Sequence, residues 1–214
     1  MESEKLQKSI EEAISHSKQR KFEETVDMAI NLKDVDLTNP KNRLNEEILL
    51  PHGRGKAVKV GVISGNEMAS KVKNVADLIV SAEELDKLSD DKKGAKRLVN
   101  NMDFFIAETA LMPRIGKILG SIMGPRGKMP RPVPGNIDPS PIINNLRRTV
   151  KARSKEKPVV HVAIGTKTMD LKKLTENASE VLKRVESKLE KGEENIKSVY
   201  IKTTMGPSVK VEVK

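Results

Sequence analysis

The sequence predicts a mixed α/β and α+β fold in two domains. An outer α+β domain, with a mainly antiparallel sheet, is built from both chain ends, and an inner Rossmann-like α/β domain is inserted into it. Three observations predict this. Near both ends, apolar and polar residues alternate at strand spacing beside helical patterns. Between residues 56 and 107, short apolar runs alternate with helical stretches in the rhythm of a parallel sheet. The rhythm changes at two crossings rich in Gly or Lys, near 51–55 and 151–157. The expected boundaries are 1–54 and 152–214 for the outer domain and 55–151 for the inner one.

Residues 4–17 carry Leu6, Ile10, Ala13 and Ile14 at helical spacing. Val26, Met28, Ile30 and Leu32 alternate with polar or small neighbours, as in a strand, and Asn39-Pro40 ends that unit. Glu47–Leu50 reads as a short strand, and Pro51-His52-Gly53-Arg54-Gly55 as a loop. In the inner part, strands are expected over 58–63, 77–80 and 103–107, with helices over 66–73, from Glu83, and over 92–100. The stretch 113–135, rich in Gly and Pro, reads as a loop, followed by a helix over 139–149. Val159–Ile164 returns to strand alternation. Leu171, Leu174, Ala178, Val181, Leu182, Val185 and Leu189 make one long amphipathic helix, closed by Gly192. Two strands finish the chain. Val199, Ile201 and Thr203 share one face of the first, Ser198, Tyr200 and Lys202 the other. Gly206-Pro207 turns it into a run of Val209, Val211 and Val213.

Composition narrows the function. A formal net charge of +10 on a chain that is still 36% hydrophobic describes a folded body with a polyanionic partner, most simply nucleic acid. Aromatics are only 2%: Phe22, Phe104, Phe105 and Tyr200. That is too few for a protein that binds single strands by stacking many bases, so an RNA partner is expected to be read by shape, backbone and hydroxyls. With no cysteine and three scattered histidines, neither a metal nor a cofactor is expected. No apolar run approaches a membrane span and the N-terminus is not a signal peptide, so a cytoplasmic location without membrane contact is expected.

Few motifs point to catalysis. Pro113 to Arg131 carries Arg114, Lys117, Arg126, Lys128 and Arg131 and no acid. It superficially resembles a phosphate-binding loop, but Ile122 stands where the first glycine is required and Met129 where Ser or Thr would hold magnesium. A basic loop that touches RNA phosphates, or simply a solvated one, is the better reading. Gly61-Val62-Ile63-Ser64-Gly65-Asn66 lacks the third glycine of a dinucleotide site and reads as a strand-to-helix turn. A phosphate- or nucleotide-using enzyme on the inner sheet is the alternative, and no activated nucleophile supports it. The segment Ser198–Ser208 gathers hydroxyls, a thioether and a glycine near a turn, which suits the shape of a partner better than it suits chemistry.

Lys21-Phe22-Glu23-Glu24-Thr25, Met112-Pro113-Arg114-Ile115-Gly116-Lys117, Gly124-Pro125-Arg126-Gly127-Lys128-Met129-Pro130 and Ser198 through Ser208 together resemble the archaeal form of the "L one" family of large-subunit ribosomal proteins. That family builds the mobile side stalk beside the tRNA exit site. The resemblance covers essentially the whole chain. It implies a domain I, made of both ends, that binds large-subunit ribosomal RNA, and an inserted domain II. It also implies a similar element in the protein's own messenger RNA, through which excess protein represses its translation, and a stalk that helps release deacylated tRNA. It implies a non-enzymatic protein, ribosome-bound and monomeric when free. Carried over by motif, the RNA-facing residues are Lys21, Phe22, Glu24, Thr25, Ser198, Thr204, Met205 and Gly206. Arg114, Lys117, Arg126, Lys128 and Arg131 form a secondary basic surface for tRNA or further rRNA. A non-ribosomal regulator of the same fold is a third reading.

Overall fold

A computed structural model describes residues 3–39, 42–154 and 157–212. Pro40, Val213 and part of the second crossing, residues 155–156, lie outside the described residues. The chain divides into two compact units, one of residues 1–56 and 148–214, the other of 57–147.

The first unit is a four-stranded antiparallel sheet backed by two helices. Its strands are β1 (Thr25–Leu32), β8 (Val159–Thr166), β9 (Ile196–Thr203) and β10 (Ser208–Val211), in the order β10-β9-β1-β8. The alternation seen in the sequence is the cause. Val26, Met28, Ile30 and Leu32 of β1 are buried, while Thr25, Asp27, Ala29 and Asn31 between them are not. Their buried face packs against α1 (Ser3–Ser15), through Leu6, Ile10 and Ala13, and α7 (Leu171–Lys188), through Leu174, Ala178, Val181, Leu182 and Val185. Each Leu, Ile or Val among them removed from water contributes about 1.5–3 kcal/mol. Beside the sheet, β2 (Asn45–Leu49) pairs with β7 (Thr149–Arg153), from Asn45 opposite Arg153 to Leu49 opposite Thr149. These two strands flank the inserted unit in sequence.

The second unit is a parallel sheet of β3 (Val60–Ile63), β4 (Leu78–Val80), β5 (Phe104–Glu108) and β6 (Arg131–Val133), in the order β4-β3-β5-β6. All of β3 and most of β5 are buried, because helices cover both faces. Helices α3 (Ala82–Asp90), α4 (Lys92–Asn101) and α5 (Met112–Arg126) pack on one side around Phe105, and α2 (Asn66–Val72) and α6 (Ser140–Arg147) on the other around Phe104 and Ile106.

Four sequence expectations are corrected. The stretch expected to be a basic loop from 113 is helix α5. Its apolar residues Ile115, Leu119, Ile122 and Met123 are buried at helical spacing. Pro113 sits in the first turn, where no N–H is required. Gly127, at φ 64°, ends the helix. The prolines and glycines masked this periodicity. The expected loop also contains strand β6. Strand β7 went unread, since the helix expected to 149 stops at Arg147. Helix α7 ends at Lys188, and Gly192, at φ 56°, opens a separate single turn of 3-10 helix.

Candidate nucleic-acid interface

The start of β1 and the β9–β10 turn are 179 residues apart in sequence and adjacent in the sheet, since Val26 pairs with Thr203. Three hydrogen bonds close this corner. The Thr204 amide donates to the Thr25 carbonyl at 3.0 Å, the Thr25 amide donates to Thr204 Oγ1 at 3.1 Å, and that hydroxyl donates to the Thr25 carbonyl at 3.3 Å. One residue earlier, Glu24 is only 2% exposed. Its Oε1 accepts from the Met205 amide at 3.0 Å, and Arg20 lies 3.8 Å from the same oxygen. Glu24 therefore holds the turn from beneath.

Two oxygens here are buried without a partner among the described residues: Glu24 Oε2 and Thr203 Oγ1. Buried polar atoms are nearly always paired, because an unmet one costs about 1–3 kcal/mol. A side chain at Gly206 would put its Cβ against Thr203 Oγ1, so the glycine allows this tight turn. On the same two segments, Met205 and Phe22 are 59% and 53% exposed.

The surroundings are polar and basic. Lys56 Nζ donates to Thr25 Oγ1 at 2.7 Å. The Lys167 amide donates to the Glu24 carbonyl at 2.9 Å. The Thr168 hydroxyl donates to Glu23, and hydrogen bonds from Thr168 and Thr166 hold the Glu23 carboxyl below its ordinary value. Lys21 is exposed beside Phe22.

Of the residues singled out by sequence, the fold gathers Glu24, Thr25, Thr204, Met205 and Gly206 at one corner, with Lys21 and Phe22 on the adjoining segment. Ser198 is not among them. It lies at the far end of β9, about 20 Å away at strand rise, and its hydroxyl accepts from Asn31 Nδ2 at 2.9 Å. Lys56 and Thr168 also belong to the corner and are not among the expected residues; Thr203, expected only within the Ser198–Ser208 segment, joins them. Nothing local marks Lys56 or Thr168; long-range pairing alone brings them there.

The five cations of the inner unit divide. Lys128 turns inward and its ammonium donates to the carbonyls of Val99, Asn100 and Met102 at 3.0, 3.3 and 2.5 Å. It caps the end of α4, and burial pushes it below its ordinary value despite nearby Asp103. Arg126 donates to Asn100 Oδ1 and the Ile122 carbonyl, and Arg114 pairs with Asp86. Lys117 and Arg131 are exposed. The nucleotide alternative loses its footing as well. Gly61 lies under the Phe105 ring, and the Gly65 amide already donates to the Glu108 carboxylate at 2.9 Å. Among the described residues, no cluster of three or more His, Cys, Asp or Glu could hold a metal ion, and no helix is long and apolar enough to cross a membrane.

The comparisons with known proteins agree with one another. The chain is 53% identical to large ribosomal subunit protein uL1 of Thermoplasma acidophilum over 207 residues, 97% of this chain and 95% of the relative. It is 54% identical to the protein of that name from Thermoplasma volcanium, over 96% of this chain and 95% of the relative. With the one from Archaeoglobus fulgidus the identity is 50%, over 99% of each. These relatives are named as ribosomal proteins. The family model for ribosomal protein L1p/L10e matches residues 13–207. These matches establish that the chain belongs to the ribosomal protein L1p/L10e family.

Proposed function

We propose that the chain binds large-subunit ribosomal RNA through the unit built from both chain ends, centred on the corner of Glu24, Thr25, Thr204, Met205 and Gly206. The observation that carries this reading is the unmet hydrogen-bonding capacity of Glu24 Oε2 and Thr203 Oγ1 at a corner whose chain segments also carry exposed Met205 and Phe22. A carboxylate only accepts, so it calls for a partner rich in donors. RNA supplies 2′-hydroxyls and base amino groups at close spacing. The excess of cations supplies attraction over a longer range.

The bound RNA is the side-stalk region near the tRNA exit site. An element of similar shape in the protein's own message is bound at the same corner, so that excess protein represses its translation. The protein works on the ribosome in the cytoplasm, is monomeric when free, and assists release of deacylated tRNA. Exposed Lys117 and Arg131, with Arg114 and Arg126, are the second basic surface that meets tRNA or further rRNA.

The test is titration of the full chain with a side-stalk rRNA fragment and a scrambled hairpin across a salt series. The expected result is a preference for the cognate fragment that persists at high salt. Affinities that fall together for both RNAs would leave only the net charge, and the reading would be withdrawn.

A further inference from the structure

Helix α4 of the inner unit carries Lys92, Lys93, Lys96 and Arg97, all exposed, while Ala95 and Val99 are buried in the core. Each cation stands where it works against the helix. Lys92 and Lys93 lie in the first turn, where the helix dipole favours acids, and that turn has none. Lys92 with Lys96, and Lys93 with Arg97, are like charges four residues apart, which repel across one turn. Asp91 at the N-cap accepts from the Lys93 and Gly94 amides through one oxygen. Neighbouring α3 carries Glu83, Glu84, Asp86 and Asp90, yet Glu84 is taken by the Ser81 amide and Asp86 by Arg114. Among the described residues, none of the four cations has a side-chain hydrogen bond or an ion pair.

We propose that the exposed side of α4 is the inner unit's main contact with RNA and takes the phosphates of a double-helical segment. The inference rests on the reading of the inner unit as a second RNA-contacting surface. It moves the centre of that surface from α5 to α4.

Three observations carry it. The cations lower the stability of their own helix, so the fold gives no reason for their placement, whereas a polyanion relieves the repulsion between them. Cations on and just beyond α5 are committed within the protein instead: Lys128 to three carbonyls and Arg114 to Asp86. The basic side of α4 is also continuous. Lys93, Arg97 and Asn100 follow one another at helical spacing over about 10 Å. At its end Asn100 Oδ1 accepts from Arg126 Nε at 2.9 Å and so fixes one more guanidinium there. This surface has no exposed apolar centre, which a protein partner would need. It has no aromatic ring on which an unpaired base could stack, so paired RNA, met through its backbone, is the fitting ligand. The chain belongs to a ribosomal protein family, which makes RNA the polyanion at hand.

The test sets affinity against helix stability. The full chain is titrated with a plain RNA duplex across a salt series, as wild type and as three variants that each reverse two charges. These are Lys92→Glu/Lys93→Glu on α4, Lys117→Glu/Arg131→Glu on the surface already described, and Lys172→Glu/Lys183→Glu on α7. The α4 change is expected to weaken binding about 10-fold or more and to make the log–log salt dependence shallower by about two. The α7 change stays within about 3-fold of wild type. Amide hydrogen exchange within α4 slows about 5- to 30-fold in the α4 variant, because acids enter the first turn and both repelling pairs become attracting ones. Affinity and helix stability thus move in opposite directions. If the Lys117→Glu/Arg131→Glu change weakens binding while the α4 change matches wild type, the second surface stands and this inference is overturned. If neither weakens it, both fall. Equal losses in all three variants would mean that net charge alone binds the duplex, and faster exchange in the α4 variant would mean that the lysines serve the helix; either result overturns the inference.

Discussion

Replacing Glu24 with Gln separates holding the turn from touching the RNA. Glu24 is buried, one oxygen accepts from the Met205 amide and the other has no partner. The amide of Gln keeps an oxygen for Met205 and puts an NH2 in the orphaned position. Folding then loses no hydrogen bond, and a buried charge with only a distant arginine is removed, which is neutral or stabilising. A gain or loss of up to about 1 kcal/mol moves Tm by about 2–4 °C in a chain of this length. Binding moves oppositely, because a donor now faces the donors of the RNA. A hydrogen bond to a charged group is worth about 1.5–3 kcal/mol, or about 10- to 150-fold in Kd. The assays are thermal unfolding by circular dichroism and titration with the side-stalk fragment at two salt concentrations. Wild-type affinity at wild-type Tm would show that Glu24 only holds the turn, and the orphaned oxygen would lose its place in the argument. A large drop in Tm would show that the turn requires the carboxylate itself.

Other consequences follow from single positions. Gly116, Gly120 and Gly124 on α5 have open space where a Cβ would stand, so Gly120→Ala is expected to stabilise the protein by about 0.5–1 kcal/mol in urea unfolding; destabilisation would mean the helix needs the missing side chain. At Gly165 a Cβ would run into Leu174 and come within 2.8 Å of Met169 Sδ, so Gly165→Ala is expected to cost about 1–3 kcal/mol by the same measurement. Burial pushes the Asp27 carboxyl up, only partly offset by Lys202, His161, Lys56 and Arg54. The native state thus holds that proton more tightly than the unfolded chain, so Asp27 favours folding below its unfolded value of about 4 and lowers stability once pH rises past the folded value. Asp27→Asn is expected to raise Tm at pH 7 and to lose that advantage in acid; an advantage equal at both extremes would contradict the sign.

Much of this molecule is legible because its signals are local. The alternation of Val26, Met28, Ile30 and Leu32, and the helical spacing from Leu171 to Val185, each report a buried face directly. Breakers hid α5, where Pro113 and Gly127 sit at the helix ends that tolerate them and Gly116, Gly120 and Gly124 fall where no packing is needed. Strand β7 lacked a turn signal, because its partner β2 lies about a hundred residues earlier, across the inserted unit. Lys128 read as an exposed cation because nothing nearby in sequence marks the three carbonyls it caps.

Periodicity, charge and short motifs are properties of neighbouring residues, so the two kinds of sheet, the basic character of the chain and the family resemblance can be read from the order of residues alone. Which of those residues act together depends on how distant segments pair in the fold. Thr25 meets Thr204 across 179 positions, Glu24 is buried with an unmet oxygen, and Ser198 stands a strand's length from the turn it was grouped with. The reason is physical: burial and hydrogen-bond satisfaction depend on which distant segments pair, and strand pairing is settled by the whole sheet at once.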